Sequence, residues 1–189
     1  MKKIILSLII LFYAFATANA QSTPETADEI VNSALSQAKQ EHKKVLIMFH
    51  ASWCGWCKKM DACLNDVSCK NYFNKNFVIS HIDVFETKEK VSEENSGGKD
   101  LYAKYGGEEQ DGIPFWLILD ENGNLLANSK YDPDNSGKLQ NIGCPAEEKE
   151  VAYFVSLLKK YTNISEADQT AVQIRFRKNK EKASNASFE

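Results

Sequence analysis

The chain has 189 residues, 43% hydrophobic and 26% charged, which is the make-up of a globular protein with enough length for a sizeable core in one domain. Its formal charge is −3, and no large basic block interrupts the sequence, so nucleic acid is not an expected partner. Five cysteines are too few for a disulfide-dense scaffold and too many to ignore, and their meaning depends on the compartment.

Residues 1–20 read as a secretory signal peptide. Lys2 and Lys3 open it, an apolar run follows over Ile4–Phe15, and Ala18-Asn19-Ala20 is a small-x-small motif that places cleavage before Gln21. The run is too short to span a bilayer, and no later stretch is long and apolar enough to do so. No cysteine lies near the cleavage site, which speaks against a lipoprotein. The mature chain is therefore expected to be exported without a stable membrane span, and in an oxidising compartment its cysteines can form disulfides.

After a polar lead (Gln21–Glu25), Thr26–Glu41 has the apolar spacing of an amphipathic helix, with Thr26 and Glu29 as a capping box. Val45–His50 is an apolar run of branched and aromatic residues, the pattern of a buried strand. It breaks at Ala51-Ser52 and continues as a helix that Met60 and Leu64 extend. Asp61–Cys69 is expected to break that helix and start a short one through Phe73. Phe77–Val84 is the next strand, Glu86–Gly98 a solvated loop, and Lys99–Tyr105 a short helix ended by Gly106-Gly107. Ile113-Pro114 introduces a strand over Phe115–Leu119, an Asn122-Gly123 turn follows, and Leu125–Ala127 begins the returning strand. Asn128–Gly143 reads as a long polar loop, of a length often tied to function. Pro145–Tyr161 is a helix, and Ser165 with Asp168 caps a last one to about Arg177. Residues 179–189 read as a disordered tail. The alternation of helices and strands predicts an α/β domain over 21–178, a central mixed sheet covered on both faces.

Cys54 and Cys57 stand where strand turns into helix. A helix N-terminus offers free N–H groups and a partial positive charge, which favour a thiolate, the form that attacks disulfides. Cys54, at the helix start and expected to be the more exposed, is assigned as attacking nucleophile and Cys57 as resolving thiol. Trp53 and Trp56 flank them as a candidate apolar platform, or as core packing. A second reading makes the CxxC a stable, non-catalytic disulfide in a binding module.

Trp53-Cys54-Gly55-Trp56-Cys57-Lys58 after a hydrophobic strand resembles the active site of thioredoxin-like proteins, and Gly112-Ile113-Pro114-Phe115 is similar to the segment where that family carries a cis-proline facing the CxxC. The resemblance covers about Thr26 to Tyr161 and is nearest to secreted thioredoxin-domain proteins with Trp-Cys-Gly-Trp-Cys-Lys-Lys-Met. It implies a thioredoxin-like fold and a thiol–disulfide oxidoreductase without cofactor. The implied partners are disulfide-containing or dithiol proteins and an electron-donor or acceptor protein, and the implied location is the periplasm or the exterior. It also implies substrate contacts at Trp53, Gly55, Trp56, Ile113 and Pro114, with the Ile113 backbone free to pair with an extended substrate.

The sequence departs from that family at two places. Trp56 replaces the proline usual between the cysteines, and the buried aspartate that assists the second cysteine aligns with Met48, its neighbouring lysine with Ile79. His50, on the same face of the strand as Met48, is a candidate proton acceptor for Cys57, as is Asp61 more weakly. Cys63 and Cys69 are either a structural disulfide or two buried thiols; Cys144 has no partner, and in the implied fold it borders the groove near Pro114. Zinc on the cysteines with His50 and His81 is disfavoured because there is only one CxxC, haem attachment because Lys58 stands where a histidine is needed, and no metal site is expected.

Overall fold

The computed structural model describes residues 23–134 and 136–185. The expected signal peptide and its cleavage site, and the end of the tail beyond Asn185, lie outside the described residues.

Four strands, β1 (Lys44–His50), β2 (Phe77–Asp83), β3 (Phe115–Leu119) and β4 (Leu125–Asn128), form one sheet in the order β2-β1-β3-β4. β1 is parallel to β2 and antiparallel to β3, with Val45 opposite Leu119 and Phe49 opposite Phe115. Side chains of a strand point alternately to its two faces. Val45, Ile47 and Phe49 accordingly enter one core with Phe115, Leu117 and Leu119, while Leu46, Met48, Trp116 and Ile118 enter the other. Because both faces are covered, β1 and β3 read as unbroken apolar runs rather than as an alternation.

Helices α1 (Ala27–Glu41) and α4 (Gly98–Lys104) supply residues to the first core; α2 (Gly55–Leu64), α3 (Lys70–Asn76), α5 (Glu148–Tyr161) and α6 (Glu166–Asn185) supply the second. α1 starts at the expected capping box: the Glu29 N–H donates to Thr26 Oγ1 (3.2 Å), and the Thr26 N–H donates to the Glu29 carboxylate (2.8 Å). Its buried positions are the alanines Ala27, Ala34 and Ala38, which let the helix lie close on the sheet.

The second core is built on aromatic rings. The Phe154 centroid lies 5.3 Å from Trp116, 5.2 Å from Phe176 and 6.3 Å from Phe73. Phe176 and Val172 are fully buried, so α6 is part of the core. This helix runs on to Asn185, past the expected end near Arg177, because its later residues have partners: Asn179 is buried, and Lys180 Nζ lies 2.6 Å from Glu147. Arg175 Nε pairs with Asp66 Oδ2 at 2.7 Å and ties α6 to the turn between α2 and α3. Ser68, donating from both its backbone and its hydroxyl, and then Arg175, hold the Asp66 carboxyl down at about 2.

α2 continues to Leu64, as expected, because Cys63 and Leu64 fall on its buried face. Two further departures have local causes. The polar stretch after β4 contains a two-stranded ribbon, β5 (Lys130–Tyr131) with β6 (Gln140–Asn141). Distant groups hold it: Lys130 Nζ sits 2.8 Å from Glu108 and 3.0 Å from Asp111, and Tyr131 stacks on Tyr153 at 4.3 Å. α5 begins at Glu148, since Glu150 accepts the N–H groups of both Ala146 and Glu147 (2.9 Å each) and so fixes the start after Pro145.

Phe154→Ala should lower the unfolding free energy by about 3–5 kcal/mol in denaturant titration, the usual loss for a large aromatic deleted from a packed core. The Asp66 carboxyl titrates lower folded than unfolded, so its contribution is present above about pH 4 and is lost as pH falls from there toward about 2. Asp66→Asn should therefore narrow the difference in denaturation midpoint between pH 5 and pH 2.5, while costing about 0.2–1 kcal/mol at pH 7.

Candidate active site

The chain leaves β1 at His50 and turns at once. The Cys54 N–H donates to Ala51 O (3.0 Å), Cys54 takes the extended conformation of a helix N-cap, and α2 begins at Gly55. The Cys54 sulfur then does what a capping oxygen does elsewhere, accepting the Cys57 N–H at 3.0 Å. Cys54 and Cys57 are joined by a disulfide. Gly55 faces open space, for a β-carbon there would meet no atom within 4 Å.

Neither sulfur is presented freely. Cys54 is 2% and Cys57 1% exposed, so the expected order holds only by a margin too small to separate them. The cause is packing: Ala51 and Ile113 close on the pair, and the Ile113 carbonyl oxygen lies 3.6 Å from Cys54 Sγ. What separates the two cysteines is hydrogen bonding, since Cys54 holds the cap.

The Ile113–Pro114 peptide is cis. The segment is held by residues that the sequence did not single out. Asn141, on β6, donates from Nδ2 to Asp111 O (2.9 Å) and Pro114 O (3.1 Å), and Trp116 Nε1 donates to Gly143 O (2.8 Å). Gly143 has φ 53°, a left-handed conformation that favours glycine, and a β-carbon there would touch Pro114 O at an ordinary 3.5 Å, so it is the backbone turn and not crowding that calls for glycine beside the proline. Asn141 sits in a stretch that reads as polar loop, and no local signal marks it.

Between these elements lies a groove of about 330 Å³ lined by Trp56, Ile113, Pro114, Ile142, Cys144 and Glu147, among others. Trp56 is 42% exposed, with Lys59 Nζ 3.8 Å from its ring centroid. Trp53 is 54% exposed and tethered elsewhere: its Nε1 donates to Phe85 O at 2.8 Å. Ser52 anchors the same turn to Glu86, through its N–H and, at 2.9 Å, its hydroxyl. The two tryptophans are thus surface residues, of which Trp56 belongs to the groove.

Met48 is fully buried opposite Trp116. The neighbouring titratable groups pair among themselves. His50 Nε2 lies 3.1 Å from Asp83 Oδ1, His81 Nε2 lies 2.8 Å from Asp61 Oδ1, and the two imidazoles are 4.9 Å apart. Burial pushes the His50 imidazolium down and the Asp83 carboxyl up. Both His50 and Asp61, the candidate acceptors for Cys57, are committed to these pairs.

The possible Cys63–Cys69 disulfide is not formed; both are buried thiols. Cys63 faces α6, where Asn179 Nδ2 donates to its sulfur at 3.1 Å, while Cys69 Sγ lies 3.4 Å from Ser68 Oγ. Cys144 does line the groove, as expected of it, and is a third buried thiol. Among the described residues, no group of three or more His, Cys, Asp or Glu could hold a metal ion, and no helix is long and apolar enough to cross a membrane.

A family model described as thioredoxin-like matches residues 26–121, just over half of the chain. The chain belongs to the thioredoxin-like family. The sheet, its flanking helices and the Cys54–Cys57 pair are the thioredoxin-like fold seen in this chain. Among solved structures it is similar to a disulphide isomerase from Xylella fastidiosa Temecula1, at 26% identity over 59% of this chain and 77% of that one, with a TM-score of 0.45. It is also similar to a DsbH oxidoreductase (25% identity, 80% of this chain, 90% of that one, TM-score 0.44). A third is the C-terminal domain of DsbD from Neisseria meningitidis (17%, 73% and 98%, TM-score 0.43). No curated protein matches the chain.

Asn141→Ala should leave the carbonyls of Asp111 and Pro114 without their donor and lower stability by about 1–3 kcal/mol, read by chemical denaturation.

Proposed function

We propose that this thioredoxin-like protein is an exported, periplasmic or secreted, thiol–disulfide oxidoreductase that reduces disulfides in protein substrates through a Cys54/Cys57 cycle. The observation that carries the reading is the pairing of two features at one point. The Cys54 sulfur caps α2, where N–H groups stabilise negative charge, and it lies 3.6 Å from the carbonyl of Ile113 in the Ile113–Pro114 segment.

In the reduced protein the Cys54 thiolate attacks a substrate disulfide, forming a mixed disulfide and releasing one substrate thiol. Cys57 then attacks Cys54 Sγ and releases the second. The substrate gains two electrons and two protons, and the protein is left with the Cys54–Cys57 bond, the state present here. A dithiol partner protein restores the thiols, and no cofactor takes part. The Ile113 backbone pairs with an extended substrate segment, and Trp56 with Ile142 offers an apolar wall beside it. Reduction is favoured over oxidation because Gly55-Trp56 lacks the histidine found between the cysteines of the family's oxidases and isomerases.

The burial of both sulfurs favours a second reading, a binding module whose disulfide is permanent. A titration in glutathione buffers, following Cys54 and Cys57 by alkylation and mass, separates the two. A midpoint of about −270 mV is expected for a reductase, whereas one between about −120 and −180 mV would assign an oxidase or isomerase. A pair that never exchanges would leave the binding module. Cys57→Ser should trap mixed disulfides with substrate proteins on Cys54, visible as reductant-sensitive adducts; their absence would count against catalysis.

A further inference from the structure

Cys63 and Cys144 are not used in this cycle, yet the fold brings them together across 81 positions of sequence. Cys63 lies on α2, the helix capped by Cys54; Cys144 lines the groove one residue after Gly143, the glycine set against Pro114. A single buried amide serves both: Asn179 Nδ2 donates to Cys63 Sγ at 3.1 Å and to Cys144 Sγ at 3.3 Å. The shared amide makes the two thiols neighbours in the core. We propose that Cys63 and Cys144 are a second dithiol–disulfide couple, closing to a bond that joins the active-site helix to the groove wall.

The chemistry follows from the placement. Both sulfurs lie within 3.3 Å of one amide nitrogen, and bond formation needs them to close to about 2.05 Å. Cys144 is the sulfur that borders the groove, so it is the one that a low-molecular-weight disulfide such as oxidised glutathione can reach. Cys144 sulfur attacks that disulfide, a mixed disulfide forms, and the first glutathione leaves with the Cys144 proton. Cys63 sulfur then attacks Cys144 Sγ, and the second glutathione leaves with the Cys63 proton. One S–S bond breaks and one forms; the protein loses two electrons and two protons, and glutathione disulfide becomes two thiols. Cys63 suits the closing attack, because Asn179 still donates to its sulfur once Cys144 carries the glutathione. The Cys63 thiol beside it, then burial, pushes the Cys144 thiol up, so its attack waits on the loss of that proton to the departing glutathione.

The test uses the full chain carrying Cys54→Ser and Cys57→Ser, so that its result is independent of the proposed catalytic cycle. The protein is incubated overnight across glutathione buffers up to oxidised glutathione alone, then acid-quenched, alkylated, digested and mapped by mass. A crosslinked peptide pair containing Cys63 and Cys144 is expected, with Cys69 alkylated throughout and the oxidised form melting at least a few degrees higher than the reduced one. Cys63 and Cys144 both still alkylated, or glutathionylated without a bridge, in the most oxidising buffer would overturn the proposal, as would a Cys63–Cys69 bridge. The same map on the unaltered chain reads the same bond if the double variant folds poorly.

Discussion

The antiparallel pairing of β1 with β3 is the constraint on which the candidate site depends. Phe49 lies opposite Phe115. That register sets the end of β1, and so the turn into Cys54, beside the start of β3, and so beside Ile113-Pro114. Two segments 59 residues apart thereby come within 3.6 Å. Register is strongly specified here, because a slip of one residue would turn every side chain of β1 into the opposite core. The alternation that fills the two cores is therefore also what aims the sulfur. The cap on Cys54 is local, but the carbonyl beside it would not survive a shift in that ladder.

Much of this was legible in the sequence where one residue type has one physical use. Unbroken apolar runs marked β1 and β3, Thr26 with Glu29 marked the first helix start, and the cysteines at a strand–helix junction marked the chemistry. What stayed hidden depends on partners far along the chain. Lys130 and Tyr131 read as loop residues until Asp111, Glu108 and Tyr153 supply an ion cluster and a stacking ring. Asn141 looked like any polar residue, yet it fastens the proline segment. The burial of both sulfurs was hidden for the same reason: Ile113, far along the chain, packs against the Cys54–Cys57 pair. Cys63 and Cys69 invited pairing by their spacing, but helix geometry turns Cys63 toward Asn179.

The surroundings of Cys57 depart from the family in polarity. A thioether fills the position of the family's buried carboxylate, and the nearby imidazoles and carboxylates bond to one another around His50 and His81. In the proposed cycle, proton movement at Cys57 would run through groups that first give up a partner, or through solvent admitted when Ile113 yields. Either route would make the proposed resolving step sensitive to how tightly the site is packed.

The burial of Val172 and Phe176 bears on where a module of this kind can be cut. The family match ends at residue 121, and the resemblance legible in the sequence ends near Tyr161. A fragment ending at Tyr161 would leave Phe154 and Phe73 facing water along one wall of the sheet, and one ending at residue 121 would lack Phe154 as well. The smallest transplantable unit is thus set by the shape of the aromatic core and not by the span over which sequences can be aligned. For this chain, homology marks the half that carries Cys54 and Cys57, and the helix that covers its aromatic core lies beyond that edge.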